Sequence, residues 1–382
     1  MTKRVLIVGM LDSLHLARWI SQFSGTDVEI SVFPSSRFRK VHPKLLHLAN
    51  DLSVSIVSSL PKKLSPLMGY LDYFLYESIF KSLIRTSRAK KLKTIINDAP
   101  FDYVHLIEIQ HAGYLFLDLN LDKVNGRKTI LTNLGSDIYF FAQFPEHKRR
   151  IKALLDSVDA YSAECARDYS LAKELGFSGI NLPLVPNAGG FEEAVFNQSK
   201  VPVNLRSEIY LKGYGGRFGL PDLIIATIKK FLNEYPVFSI NIVSVTEDVL
   251  PMIKELNAAY PNRIKYWTVR NPISHQEVLD ALGRSLLYFG FSKSDGISTT
   301  FLEALIMGAY PIQTNTSCAN EWISQGFIAS SVADDFPQIS TLVDELMQDP
   351  DNMISASKNN QDLSRKLLAE PHVRESSVLF YV

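Results

Sequence analysis

The sequence contains little cysteine, no long apolar run and no net charge, and each of these absences excludes a class of protein. Two cysteines, Cys165 and Cys318, are too few for a disulfide framework and lack a metal-binding spacing. No apolar run reaches about eighteen residues, and the first apolar run directly follows Lys3 and Arg4, so the sequence predicts neither a transmembrane helix nor a signal peptide. We therefore expect a cytoplasmic protein.

The charge balance argues against nucleic acid as a partner. Forty Lys and Arg residues balance forty Asp and Glu residues, and the sequence contains no helix-turn-helix, zinc-finger or RNA-binding motif. The charge is unevenly spread, because residues 62–93 contain eight basic and two acidic residues interleaved with aromatic ones. Such a segment predicts a helix that lies on the anionic inner face of the plasma membrane, or one that packs on its own domain with a solvated basic face.

Predicted strands and helices alternate along the chain, which is typical of parallel sheets covered by helices on both faces. The predicted strands are 4–8, 27–33, 53–57, 102–107, 129–133, 158–162, 179–185, 207–212, 238–244, 263–267, 286–290, 309–313 and 327–330. The predicted helices are 13–23, 67–96, 146–156, 164–175, 221–234, 247–259, 274–283, 299–307 and 338–348. A chain of 382 residues exceeds one core of typical size. We therefore expect an α/β protein with two domains, residues 1–190 and 191–360.

The most informative segment is residues 294–312, which predicts a loop, a helix and a strand after the buried strand 286–290. Asp295 and Gly296 form a turn dipeptide, and the apolar pattern after it predicts a helix that Gly308 ends. The first N–H groups of this helix, at Ile297 to Thr299, lie at the positive end of the helix dipole and suit a diphosphate. A second interpretation is that Thr300-x-x-Glu303 is a capping box, in which Glu303 satisfies only a backbone donor.

The segment from Asp295 to Glu321 contains, in order, a carboxylate, seven residues, Glu-Ala, a small residue, Gly, a Pro-containing strand and the acidic Glu321. This order resembles the donor-site signature of retaining glycosyltransferase family 4. Three further segments agree in order with this family. They are the first strand and its loop with Gly9 and Asp12, the strand end Gly135-Ser136-Asp137, and the glycine-rich 209–219. The resemblance implies the GT-B fold, in which two Rossmann-like domains face each other across a cleft, and a C-terminal segment, 361–382, that crosses back to the first domain.

The glycine-rich segment departs from the family pattern. Lys212 stands where Arg is commoner, and Arg217 stands where Lys is commoner. Gly213 and the glycines after it follow a strand, which favours a phosphate loop over a solvated turn. Either cation can neutralise a pyrophosphate, although only Arg offers a planar fork. Asp295 also departs from the family, which more often has Glu at this position.

The resemblance implies a role for each matched residue. Glu303 would hold the ribose hydroxyls, Asp295 a sugar hydroxyl, and Lys212 with Arg217 the diphosphate. The resemblance also implies that further positions bind the nucleotide-sugar donor: Gly9, Asp12, Gly135, Ser136, Gly213, Gly296, Ile297, Ser298 and Thr299. Candidates for touching the acceptor or the 6-position of the sugar are His15, His105, Glu108, His111 and Asp137. A structural role is the alternative for each of these histidines.

The chemistry implied by the resemblance requires no metal or other cofactor. The Asp349-Pro350-Asp351 segment follows a predicted helix and predicts a turn, not a metal-binding pair. We expect a nucleotide-diphosphate sugar, with UDP or GDP as its nucleotide, to donate a hexose or hexose derivative to a glycan, such as a lipid-linked cell-surface polysaccharide intermediate. Front-face attack would retain the anomeric configuration. Two alternatives stay open: a nucleotide-sugar epimerase or hydrolase of the same fold, and a non-catalytic subunit of a glycan assembly complex.

Overall fold

The computed structural model describes residues 2–36, 41–51, 54–56, 81–119 and 126–382. The chain divides into two compact units, of which the first is Met1–Gly190 with Val373–Val382 and the second is Phe191–His372. Residues Val373–Val382 thus belong to the first unit. Among the described residues, no helix has both the length and the apolarity that crossing a membrane requires.

The first unit is built on a parallel sheet with the strand order β3-β2-β1-β4-β5-β6-β7. Its strands are β1 (Lys3–Gly9), β2 (Val28–Pro34), β3 (Val54–Ile56), β4 (Tyr103–Ile107), β5 (Lys128–Thr132), β6 (Ala160–Ser162) and β7 (Ile180–Asn181). Alternate residues of β1 are buried in different clusters, Leu6 and Val8 in one, Val5 and Ile7 in the other. Both faces of this sheet are therefore covered, as the continuous apolar run of the strand requires.

The helices of the first unit surround this sheet. They are α1 (Leu14–Ser21), α2 (Pro43–Asp51), α3 (Lys81–Asp98), α4 (Tyr114–Leu117), α5 (Ser136–Tyr139), α6 (Pro145–Ser157) and α7 (Ala166–Glu174). A π-helical turn, Ile109–Gly113, lies between β4 and α4, and 3₁₀ turns lie at Phe141–Gln143 and Val378–Tyr381. Residues 57–80 lie outside the described residues, so most of the basic aromatic segment 62–93 does too.

The second unit is built on a parallel sheet with the order β10-β9-β8-β11-β12-β13. Its strands are β8 (Glu208–Lys212), β9 (Ser239–Val245), β10 (Ile264–Thr268), β11 (Ser285–Gly290), β12 (Tyr310–Thr314) and β13 (Ser330–Val332). Ile209 and Leu287 are buried in one core cluster. Tyr210 and Tyr288, on the opposite face, pack with ring centroids 6.0 Å apart and ring planes tilted by 42°.

Helices α8 to α15 belong to the second unit, and α16 runs from its end into the first unit. They are α8 (Glu193–Phe196), α9 (Pro221–Glu234), α10 (Leu250–Ala259), α11 (His275–Arg284), α12 (Thr299–Met307), α13 (Ala319–Ile323), α14 (Phe336–Gln348), α15 (Pro350–Leu368) and α16 (Glu370–Ser377), with a 3₁₀ turn at Val203–Leu205. The order of the strands places β8 and β11 side by side, so their following loops lie at the same sheet edge.

The α/β prediction is confirmed, and each predicted strand overlaps an observed one. The turn predicted at Asp349-Pro350-Asp351 is wrong, because Pro350 begins the long helix α15. Asp349 is its N-cap, and the Asp349 carboxylate accepts a hydrogen bond from the Asn352 N–H at 3.1 Å. A proline in the first helical position is a start signal, since its missing N–H needs no partner there.

Candidate functional site

The loop and helix after β11 form the centre of the candidate site. Helix α12 spans Thr299–Met307, as predicted, and Gly308 ends it in the left-handed conformation with φ 73°. Ser298 is the N-cap, in an extended conformation. The first helical N–H groups therefore belong to Thr299 and Thr300, whereas the sequence placed them at Ile297 to Thr299.

Glu303 is buried in the middle of α12, where its side chain binds a histidine of the neighbouring helix. Glu303 Oε1 lies 2.7 Å from His275 Nε2, and Glu303 is 3% exposed. The capping-box interpretation is wrong, because Thr300 lies inside the helix and Ser298 is the N-cap. A buried carboxylate is stable only with partners of this kind.

His275 was not predicted to be part of the site. It occupies the first position of α11, after a capping box in which Ser274 and Glu277 satisfy each other's backbone N–H groups. The Ser274-x-x-Glu277 motif signals this helix start in the sequence. The sequence does not show that α11 packs against α12, so the pairing of His275 with Glu303 had no local signal.

Lys212, the last residue of β8, reaches the start of α12. Its Nζ donates a hydrogen bond to Ser298 Oγ at 2.9 Å and lies 4.9 Å from the centroid of the Tyr214 ring. Tyr288 OH lies 3.4 Å from the same Ser298 Oγ. A cation is thus held beside the N–H groups of Thr299 and Thr300, which is an arrangement that favours an anion.

The charge of Lys212 is stabilised by its surroundings. Burial by itself lowers the pKa of the Lys212 ammonium, but four acidic groups nearby outweigh burial and raise that pKa above its usual value: Tyr288, Tyr214, Asp295 and Glu303. Lys212 is therefore a cation at neutral pH, and half-buried Asp295 lies within its electrostatic reach.

The glycine-rich loop after β8 is held by the loop after β9. Gly215 N–H donates to Thr246 Oγ1 at 2.8 Å, and Gly216 N–H donates to Asp248 Oδ2 at 2.7 Å. The Thr246 hydroxyl and the Gly216 N–H lower the pKa of the Asp248 carboxyl. Two N–H groups of the predicted phosphate loop thus already bind side chains, and Arg217 in the same loop is exposed.

In the first unit, the Gly135-Ser136-Asp137 segment follows β5, and the Asp137 side chain binds the turn that follows β4. Asp137 is buried, and its Oδ2 accepts hydrogen bonds from the N–H groups of Ile109 at 2.9 Å and Leu134 at 3.0 Å. Burial first, and the nearby Glu108 carboxylate second, raise the pKa of Asp137 well above its usual range. Gly135 adopts φ 47°, which favours glycine.

His111 and Glu108 lie next to this segment. The His111 Nδ1 is 2.9 Å from Glu108 Oε1, and the His111 backbone N–H donates to the same oxygen. The His111 ring is half-exposed, whereas Glu108 is buried. Glu108 adopts φ 87°, one of three positive φ values among the described residues other than glycine.

His105 is a buried structural residue, so the prediction that it contacts a substrate is wrong. Its Nδ1 lies 2.7 Å from Tyr381 OH and its Nε2 lies 2.6 Å from Thr132 Oγ1. Burial lowers the pKa of His105 to about 3. Both ring nitrogens therefore bind protein groups, and the imidazole is neutral.

A small cavity follows β1, where Gly9 ends the strand and Asp12 lies in the next loop. Its lining includes Ser13, exposed His15 and Asn187, and its volume of about 10 Å³ accommodates one water molecule at most. Ser13 caps α1, because its Oγ accepts a hydrogen bond from the Leu16 N–H. This cavity is too small for a sugar.

No protein-family model and no curated protein sequence matches the chain. Solved structures do match it. The HepE protein of Anabaena, solved in complex with UDP-glucose, is 10% identical with a TM-score of 0.70, over 99% of this chain and 98% of HepE. A glycosyltransferase from Rickettsia africae is 13% identical with a TM-score of 0.67, over 100% of this chain and 98% of that one.

A UDP-N-acetylglucosamine 2-epimerase also matches, with 13% identity, a TM-score of 0.60, and coverage of 99% of this chain and 95% of the epimerase. At these identities the likeness concerns the fold. The chain has the fold of the GT-B glycosyltransferases, with two Rossmann-like units that are each built on a parallel sheet.

Proposed function

We propose that the protein is a glycosyltransferase that takes a hexose or hexose derivative from a nucleotide-diphosphate sugar, and that the second unit binds this donor. The observation that carries the proposal is the position of Lys212 Nζ, 2.9 Å from Ser298 Oγ at the start of α12, with buried Glu303 one turn further along the helix. HepE, which shares the fold, was solved with UDP-glucose.

Each group of this site has a part in donor binding. The diphosphate contacts Lys212 and the N–H groups of Thr299 and Thr300. There the lysine charge and the positive end of the helix dipole both attract it. Glu303, oriented by His275, accepts hydrogen bonds from the ribose hydroxyls. Asp295 accepts one from a hydroxyl of the sugar. When the glycosidic bond to phosphate breaks, these fixed positive groups stabilise the charge that develops on the leaving diphosphate.

We further propose a mechanism and an acceptor. The configuration at the anomeric carbon is retained through attack on the face that the diphosphate leaves, with a phosphate oxygen taking the proton of the acceptor hydroxyl. No metal takes part, because Lys212 and the helix start supply the positive charge. His111 in the first unit contacts the acceptor, which is a glycan such as a lipid-linked cell-surface intermediate made at the inner face of the membrane.

Calorimetric titration with UDP, GDP, ADP and CMP tests the donor site. We expect one nucleoside diphosphate to bind at micromolar concentration, and Glu303→Ala to weaken it at least about tenfold, because hydrogen bonds to a charged group contribute about 1.5–3 kcal/mol. Glu345→Ala, which changes an exposed glutamate of the same unit, is the matched control. Binding of none of the four nucleotides would contradict the proposal.

The epimerase among the structural matches supports one alternative, turnover of the nucleotide sugar without an acceptor. Incubation with the donor alone separates the two. A transferase leaves the donor sugar at its original configuration, whereas an epimerase converts it to a second nucleotide sugar that NMR of the products identifies. A non-catalytic subunit binds the nucleotide, leaves the donor sugar unchanged and transfers no sugar when an acceptor is added.

A further inference from the structure

Glu108 holds a backbone conformation that disfavours its own side chain. Its φ of 87° and ψ of 140° lie in a region that is almost restricted to glycine. The π-helical turn Ile109–Gly113 begins at the next residue and closes with a hydrogen bond from the Gly113 N–H to the Glu108 carbonyl at 3.0 Å. Strain and π-helical turns are both enriched at functional sites. The chain therefore keeps a glutamate where glycine would be more stable.

The strain brings the Glu108 carboxylate against His111. Glu108 Oε1 accepts from the His111 backbone N–H and lies 2.9 Å from Nδ1. Glu108 Oε2 is buried and has no hydrogen-bond partner among the described residues. A glutamate that served only packing would be poorly placed, because its conformation is strained and one of its oxygens is desolvated without compensation.

The contact also determines which nitrogen of His111 carries the proton. A carboxylate oxygen only accepts hydrogen bonds, so the His111 Nδ1 must donate, and in the neutral imidazole the lone pair then lies on Nε2. The ring is half-exposed. A carboxylate that holds an imidazole in one tautomer leaves Nε2 suited to accept a hydrogen bond from an O–H group.

We propose that Glu108 is a positioning residue that fixes the Nδ1–H tautomer of His111, so that His111 Nε2 accepts a hydrogen bond from a neutral sugar hydroxyl in the first unit. This rests on the proposed function, because it gives the acceptor-binding residue its chemistry. The ligand class is an uncharged polyol, not a phosphate, since a phosphate would require a donor at Nε2. No proton leaves the sugar in this contact.

The tautomer is measured by ¹⁵N–¹H correlation NMR of the imidazole rings in the full chain, with His111→Gln assigning the signal. We expect an Nδ1–H form in the wild type and a shift towards Nε2–H in Glu108→Leu, while Glu146→Leu, which changes an exposed glutamate of α6, leaves the signal unchanged. A wild-type His111 with its proton on Nε2 would overturn the proposal.

Sugar binding is measured on the same signal by titration with methyl glycosides of glucose, galactose, mannose and N-acetylglucosamine. We expect at least one to shift His111 Nε2 saturably at millimolar concentration, and Glu108→Leu to weaken that binding about three- to tenfold, as loss of one hydrogen bond implies. No response to any glycoside would sink the inference. The nucleotide titration is independent, so its failure alone would count against the donor site only.

A purely structural role of Glu108 is tested by Glu108→Gly. Glycine removes the backbone strain, so we expect the melting temperature to rise by about 2–4 °C, while glycoside binding at His111 weakens about three- to tenfold, as in Glu108→Leu. A fall in melting temperature with sugar binding retained would mean that Glu108 stabilises the turn and has no part in binding.

Discussion

Glu303 and His275 form a hydrogen-bonded pair between two helices, with Glu303 Oε1 2.7 Å from His275 Nε2. The glutamate side chain is 4% exposed and the histidine side chain 38% exposed. The histidine thus fixes the direction of a carboxylate that is largely removed from water. This pairing explains how the buried part of α12, whose other residues from Phe301 to Met307 are apolar, tolerates a carboxylate at the position proposed to bind ribose.

Removing His275 should destabilise the second unit. His275→Ala leaves the Glu303 carboxylate buried without this partner, which costs about 1–3 kcal/mol of unfolding free energy. Urea unfolding measures the change. Glu303→Gln in the same chain should recover part of it, because an amide is easier to bury than a charge, so a double-mutant cycle should be non-additive. Simple additivity would contradict the pairing.

Lys212 should contribute to phosphate binding and not to recognition of the nucleoside. We expect Lys212→Met to weaken the nucleoside diphosphate about tenfold to a hundredfold, while the corresponding nucleoside without phosphates binds equally to both proteins. Lys212→Arg keeps the charge, so it should weaken binding of the nucleoside diphosphate less than Lys212→Met does. Calorimetric titration of each variant at two salt concentrations measures these affinities. An equal loss of affinity for the nucleoside and for the nucleoside diphosphate would contradict a contact between Lys212 and the phosphates.

His105 should make the first unit sensitive to acid. Its pKa is lowered to about 3 in the folded protein and is about 6.5 in the unfolded chain. The unfolded state therefore binds more protons between these values, so the stabilisation is complete above about pH 6.5 and is lost as the pH falls towards 3. Between about pH 6.5 and pH 5 the free energy of unfolding should fall by roughly 2 kcal/mol. His105→Gln, which does not titrate, should flatten this part of the profile.

Two left-handed glycines offer a matched test of the end of α12. Gly308 has φ 73°, and a Cβ there would lie 2.2 Å from Ser357 Oγ, whereas Gly126 has φ 73° and a Cβ there meets no atom of the described part of the chain within 4 Å. Gly126→Ala should cost only the conformational penalty of about 1 kcal/mol. Gly308→Ala should cost more in urea unfolding, because it adds a steric clash. Equal costs would mean that Ser357 moves aside freely.

The sequence predicts the sheets better than the contacts of the site. Apolar runs such as β11 are long enough to identify each strand, and the glycine at 308 ends α12 where the pattern predicts. The partners of Glu303 and Lys212 were not predictable, because they depend on which helix packs beside α12 and which strand lies beside β11. The strain at Glu108 has no signature in residue type, since glutamate carries no preference for positive φ.

Lys212, the start of α12 and Glu303 are proposed to bind a nucleotide-diphosphate sugar. A crystal structure of the protein soaked with the nucleoside diphosphate that binds in calorimetry tests this site. We expect the diphosphate within hydrogen-bond distance of Lys212 Nζ and the Thr299 and Thr300 N–H groups, with the ribose hydroxyls on Glu303. A nucleotide bound away from these groups would show that the donor site lies elsewhere.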